Sequence, residues 1–141
     1  EWWVQVIPAG LILNEWRIHI FNGRCIGRGL KVQTSEPNRK QPVRNRNNGW
    51  TLTHDIAPSN KVRQTAYESV KCLGYNFGAV DIIELNINDN QCVVLEVNSA
   101  PAIRSEYTID IYTNALTKLS QGKWIKWRDK DFNVVDTNTT T

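Results

Sequence analysis

The two apolar runs within FGAVDIIELNINDNQCVVLEVNSAPA (Phe77–Ala102) limit the folds open to this chain more than any other feature. They are rich in Val, Ile and Leu and are separated by a turn-like Asn-Asp-Asn, so they read as a β-hairpin. Each carries a carboxylate in mid-run, and burying a carboxylate is costly unless something pairs with it. With Asn88-Asp89 as a two-residue loop, Asp81 falls opposite Glu96, and Asn98 lies two residues on along the same face. Two acids about 5 Å apart across a strand pair repel by roughly 3 kcal/mol at an effective dielectric near 20. A hard divalent cation would relieve this, because it takes oxygen ligands and leaves positions open for phosphate. The alternative is a pair of solvent-facing acids neutralised by nearby Lys or Arg.

The remaining pattern places helices around antiparallel strands. NEWRIHIF (Asn14–Phe21) alternates, with Trp16, Ile18 and Ile20 on one face and Glu15, Arg17, His19 and Phe21 on the other. Asn22-Gly23 is a strong hairpin signal, which makes RCIGRGLKVQ (Arg24–Gln33) the return strand. WWVQVIP (Trp2–Pro8) is expected to be a further strand. Thr34–Gly49 has two prolines, four basic residues (Arg39, Lys40, Arg44 and Arg46) and no apolar period, so it reads as a loop. Ser59 caps an expected helix running to Leu73, with Val62, Ala66, Val70 and Leu73 on its apolar face and Gly74 as its stop. A second helix is expected from Ser105 or Thr108 to about Leu119, burying Ile109, Tyr112, Leu116 and Leu119. The fold class is therefore α+β, an antiparallel sheet with helices packed on one face.

Charge and cysteines add bounds. With 17 Lys and Arg against 14 Asp and Glu, the chain suits an anionic partner without demanding one. No apolar run approaches the roughly 20 residues of a membrane span, and no signal peptide is evident. Cys25, Cys72 and Cys92 are odd in number and widely spaced, which reads as buried free thiols in a reducing compartment. The Asn-Thr-Thr at Asn138 reads as a chance match to a glycosylation acceptor. A chain of 141 residues with no Met that opens on Glu-Trp-Trp is expected to be one part of a longer protein. Trp124 and Trp127, interleaved with Lys123, Lys126 and Arg128, suggest either base stacking or a terminal element packing its Trp face on the core.

At these residues the sequence resembles the C-terminal part of an ATP-grasp enzyme. GAVDII…CVVLEVNSAPA is similar to that superfamily's metal-binding hairpin. NEWRIHIFNGRCI and VRNRNNGW resemble elements of its carboxylate–amine ligase branch, which includes ribosomal-protein glutamate ligases and related phage and bacterial proteins. The matches run in family order from about Val4 to Leu119.

The resemblance implies an ATP-grasp C-terminal subdomain over 1–135 and a polar tail over 136–141. Asp81, Glu96 and Asn98 would hold one or two Mg²⁺, or Mn²⁺, on the ATP phosphates. Glu15 would accept hydrogen bonds from the ribose, Gln5 and Ile7 would meet adenine through their backbone, and Leu95 would lie beneath it. Arg17 and Arg44 would act on the transferred phosphate and acyl phosphate, with Asn45 and Lys31 in the same field. The implied reaction is γ-phosphoryl transfer to a carboxylate followed by attack of an amine, a chemistry that rests on positioning and charge. The partners are then ATP, a carboxylate and an amine, with no membrane and no nucleic acid, in the cytoplasm of a bacterium or phage-infected cell.

Two departures stand out. Ala102 replaces the family's Gly after Asn-x-x-Pro, and the family's upstream half, with its glycine-rich, lysine-bearing subdomain, has no counterpart here. Turnover is therefore expected to need a missing segment or a partner chain. The competing expectation is a non-catalytic module for binding or virion assembly, with nucleic acid held by the basic loop.

Overall fold

The structure, a computed structural model, describes residues 7–34, 43–87 and 91–125. Five antiparallel strands form one sheet in the order β3-β2-β1-β4-β5. They are β1 (Ile12–Phe21), β2 (Arg24–Gln33), β3 (Trp50–Thr53), β4 (Phe77–Leu85) and β5 (Cys92–Asn98). Helices α1 (Asn60–Cys72) and α2 (Glu106–Ser120) complete the fold, so the α+β class holds. Nearly all of the strand expected over Trp2–Pro8 lies outside the described residues. So do Gln5, the centre of the basic loop, the Asn88-Asp89 turn, Trp127 and the tail.

Local signals set most boundaries. Asn22 and Gly23 turn β1 into β2 with positive φ of 42° and 73°, the primed turn that matches strand twist. The Ser59 hydroxyl accepts from the Val62 amide and starts α1; after the C-cap Leu73, Gly74 leaves it at φ 70°. Ser105 and Thr108 form a reciprocal cap on α2. The short β3 had no alternation long enough to mark it, and it forms by pairing with Leu30–Gln33.

The sheet has two unlike faces. On one, Trp16, Ile18, Ile20, Val80 and Ile82 pack against Val62, Ala66 and Val70 of α1, making the main core. On the other, α2 covers Phe21 at one end through Tyr112 and Ala115. The helices therefore lie on opposite faces, correcting the expectation of a single helical layer. The reason is the alternation of β1, whose two faces both carry apolar residues. The buried stripe of α2 also differs from expectation. Tyr112 is buried as expected and Leu119 partly so, but Ala115 and Ile111 replace Ile109 and Leu116, which are exposed. Gly27 decides this. A Cβ there would stand 2.3 Å from the Ile111 side chain, so only a bare backbone lets Tyr107 and Ile111 dock on β2. Leu73 and Cys72 are likewise exposed, against expectation, because they sit at the solvent end of α1; Cys25 and Cys92 are partly buried, and all three cysteines are free thiols. Trp124 packs against the Phe21 and Tyr112 cluster, between the cations of Arg24 and Lys118. Among the described residues no helix is long and apolar enough to cross a membrane.

Sequence reading overlooked one buried acid. Glu84, 4 % exposed, sits on the α1 side of β4. Its carboxylate accepts from Asn14 Nδ2 at 2.9 Å, Trp16 Nε1 at 3.2 Å and Ser59 Oγ at 3.2 Å. It thus ties the start of α1 to the two central strands. Replacing it with Leu strands these donors, and we expect a loss of about 3 kcal/mol. Glu84→Gln, which keeps one acceptor oxygen, should lose about 1 kcal/mol. Urea midpoints at unchanged m-value measure both.

Candidate active site

The face opposite α1 carries a line of charge across the sheet. Arg17 on β1 pairs with Asp81 on β4, and Asp81 pairs with Glu96 on β5. The expected opposition of the two acids is therefore present, but the turn alone does not produce it. Near the loop Glu84 faces Cys92 and Ile82 faces Val94, a register that would place Leu95 opposite Asp81. The register shifts between Asp81 and Ile82, leaving Leu95 as the extra residue of a bulge and Glu96 opposite Asp81.

Arg17 neutralises Asp81. Its Nε donates to Oδ1 and its Nη2 to Oδ2, both at 2.7 Å, the two-pronged geometry of a strong charge-assisted pair. This contact raises the Arg17 pKa above its ordinary value, with Glu96 and Glu15 adding to the field. Glu96 is exposed, and Asn98 Oδ1 accepts from the Ala100 amide at 2.9 Å.

Glu15, buried on the same face, holds two further cations. Lys31 Nζ donates to its Oε1, and Arg44 Nε lies 3.8 Å from its Oε2. The Arg44 guanidinium also rests over the Trp50 ring, 4.6 Å from its centre. The loop is held by Asn45, whose side-chain oxygen accepts from the Asn48 amide at 3.0 Å, and by Gly49 at φ 78°. Asn45 and Gly49 of the Arg-Asn…Gly element thus build the turn that presents Arg44.

These parts enclose a cavity of about 630 Å³, lined by Arg17, Lys31, Arg44 and Arg46 with no carboxylate among the lining residues. Asn45 and Asn98 also line it, whereas Ile7, Glu15, Asp81, Leu95 and Glu96 do not. Asp81 and Glu96 lie on the rung that ends at Arg17, and Glu15 sits behind Lys31 and Arg44.

Two histidines, His19 and His54, also line the cavity. His19 is buried, with Nδ1 3.0 Å from the Tyr112 hydroxyl. Burial, helped by the Arg17 charge, lowers its pKa to about 4, and burial pushes Tyr112 up to about 12. His54 stacks on Tyr107, ring centres 3.6 Å apart at 8°. Its Nδ1 lies 2.6 Å from the Arg28 carbonyl, which can only accept, so Nδ1 is the donor of this bond. No sequence signal singled out either histidine, because both depend on contacts from α2.

Does this donor set suit a magnesium ion? Asp81, Glu96 and Asn98 supply oxygen only, as a hard cation requires. Arg17 already supplies one positive charge to Asp81. The residues fit, provided the guanidinium moves aside. Among the described residues no group of three or more His, Cys, Asp or Glu forms a metal cluster, so the candidate set is two acids and an amide.

Comparison with protein-family models gives no match, and neither does comparison with curated proteins. Solved structures do match. The ATP-grasp ligase PsnB in complex with a minimal precursor aligns at TM-score 0.51 and 17% identity, covering 77% of this chain and 35% of that one. D-alanine–D-alanine ligase from Bacillus anthracis aligns at 0.51 and 15%, covering 77% and 41%. PsnB with a phosphomimetic precursor variant, Mg and ADP aligns at 0.50 and 16%, covering 74% and 33%. The chain carries part of the ATP-grasp fold and spans between 33% and 41% of the length of these structures.

The shifted His19 makes stability depend on pH. Its imidazole titrates near 6.5 when unfolded and near 4 when folded, so between those values the unfolded chain binds the extra proton. The stabilisation is complete above pH 6.5 and is lost as pH falls toward 4. We expect about 2 kcal/mol to disappear between pH 7 and pH 5. Urea unfolding should show a smaller loss over that interval in His19→Gln.

Proposed function

We propose that this chain is the ATP- and Mg²⁺-binding half of an ATP-dependent carboxylate–amine ligase working through an acyl phosphate. The observation that carries this reading is the rung Arg17–Asp81–Glu96 beside a cavity with four basic side chains, on part of an ATP-grasp fold. The Mg and ADP named with PsnB belong to that protein and lend support by likeness of fold.

In this reading Asp81, Glu96 and Asn98 hold the cation, which when bound screens the phosphate oxygens. Arg17 and Arg44 stabilise the charge that develops as the γ-phosphoryl group passes to a carboxylate oxygen and phosphate later leaves the acyl carbon. Lys31 and Asn45 bind phosphate or substrate from the cavity wall. Glu15, besides accepting from the ribose, aims Lys31 and Arg44. Gln5, Ile7 and Leu95 supply the adenine site. A carboxylate and an amine, from a peptide, protein or amino acid, are the substrates. The subdomain spans 1–135, and a further segment or partner chain closes over the nucleotide.

The test is a thermal shift with ATP and Mg²⁺. A ligand at 100 times its dissociation constant stabilises by about 2.7 kcal/mol. We expect a shift that is lost in Asp81→Asn and in Glu96→Gln. An equal shift in those variants would remove the cation assignment. Salt-sensitive DNA or RNA binding with no response to nucleotide would instead identify a binding module.

A further inference from the structure

The fork of Arg17 fills both oxygens of Asp81. A divalent cation on the remaining lone pairs of those oxygens would stand close to the guanidinium and be repelled by it. The two partners differ in freedom. The Asp81 side chain is 12% exposed and the Arg17 side chain 41%. Only the guanidinium has open space to enter. That space is the basic cavity, which Arg17 itself lines. On β2 the residue paired with Arg17 is Gly29, which adds no side chain of its own, though Leu52 and His54 pack close over it. Glu96 stands on the far side of Asp81 and contributes charge without clamping the arginine.

We propose that Arg17 is a gate on the cation site, competing with the divalent ion for Asp81 and turning into the cavity when the ion binds. The inference rests on the reading of Asp81 and Glu96 as cation ligands and adds an order to it. The ion must displace Arg17, and its arrival delivers a guanidinium to the anion in the cavity. Arg17 here is a positioning residue for the metal site. An arginine that only repels the ion through its charge would leave cation binding unchanged in Arg17→Lys, whereas a gate that must release its fork would not.

The decisive measurement is Mn²⁺ binding to the full chain without nucleotide, followed by electron paramagnetic resonance. Removing the competitor in Arg17→Gln should tighten Mn²⁺ by about tenfold or more, the scale of one charge-assisted bond. Arg17→Lys, which keeps the charge but loses the fork, should tighten it by less and serves if the Gln variant does not fold. Mn²⁺ should also raise the melting temperature of Arg17→Gln more than that of the unaltered chain, because it replaces the lost charge. Binding that is equal or weaker in both variants overturns the gate while leaving the cation site in place. Absence of Mn²⁺ binding in every form overturns the site itself, and the gate with it.

Discussion

The pairing of Arg17 with Asp81 is the contact around which the site is organised. It joins the two central strands on the face that carries the cavity, and it sets a positive fork against a largely buried acid. Without a partner, the largely buried Asp81 would carry an uncompensated negative charge facing that of the exposed Glu96, which is costly. The guanidinium relieves this and leaves the rung of Arg17, Asp81 and Glu96 with one net negative charge. Structural ion pair and candidate site are here the same atoms.

The opposite face makes that polarity affordable. Trp16, Ile18, Ile20, Val80 and Ile82 bury one side of β1 and β4 completely against α1, and Glu84 anchors the start of that helix to both strands. With β1 and β4 fixed from behind, the residues between them in alternation have no choice of face. Glu15, Arg17 and His19 must point into the cavity side. Glycines complete the front. Gly27 admits α2, which brings Tyr107 and Tyr112 onto His54 and His19, while Gly29 makes room beside Arg17 for the Leu52 and His54 side chains.

The likeness to ATP-grasp ligases is one of fold, over about a third to two fifths of their length. Within that portion the chemistry is lopsided. Four basic side chains line the cavity, and the acids are kept to the rung at its edge and to Glu15 behind it. Such a surface attracts anions and stabilises negative charge, but supplies no evident nucleophile.

How much of this could be read from residues alone follows from range. The strands β1, β2, β4 and β5, the Asn22-Gly23 turn and the caps of both helices were legible, because alternation and capping act within a few residues. Asp81 opposite Glu96 was also legible, though for an incomplete reason: the bulge at Leu95, which no local pattern marks, restores a register that the loop end does not have. The sequence by itself determined the alternation of β1, and with it which side chains share the charged face. Tertiary structure alone decided that Arg17 clasps Asp81, that Glu15 gathers Lys31 and Arg44, and that the helices take opposite faces with α2 turned toward Gly27. Those outcomes depend on contacts between segments tens of residues apart, where packing and charge balance across the assembled sheet outweigh any local preference.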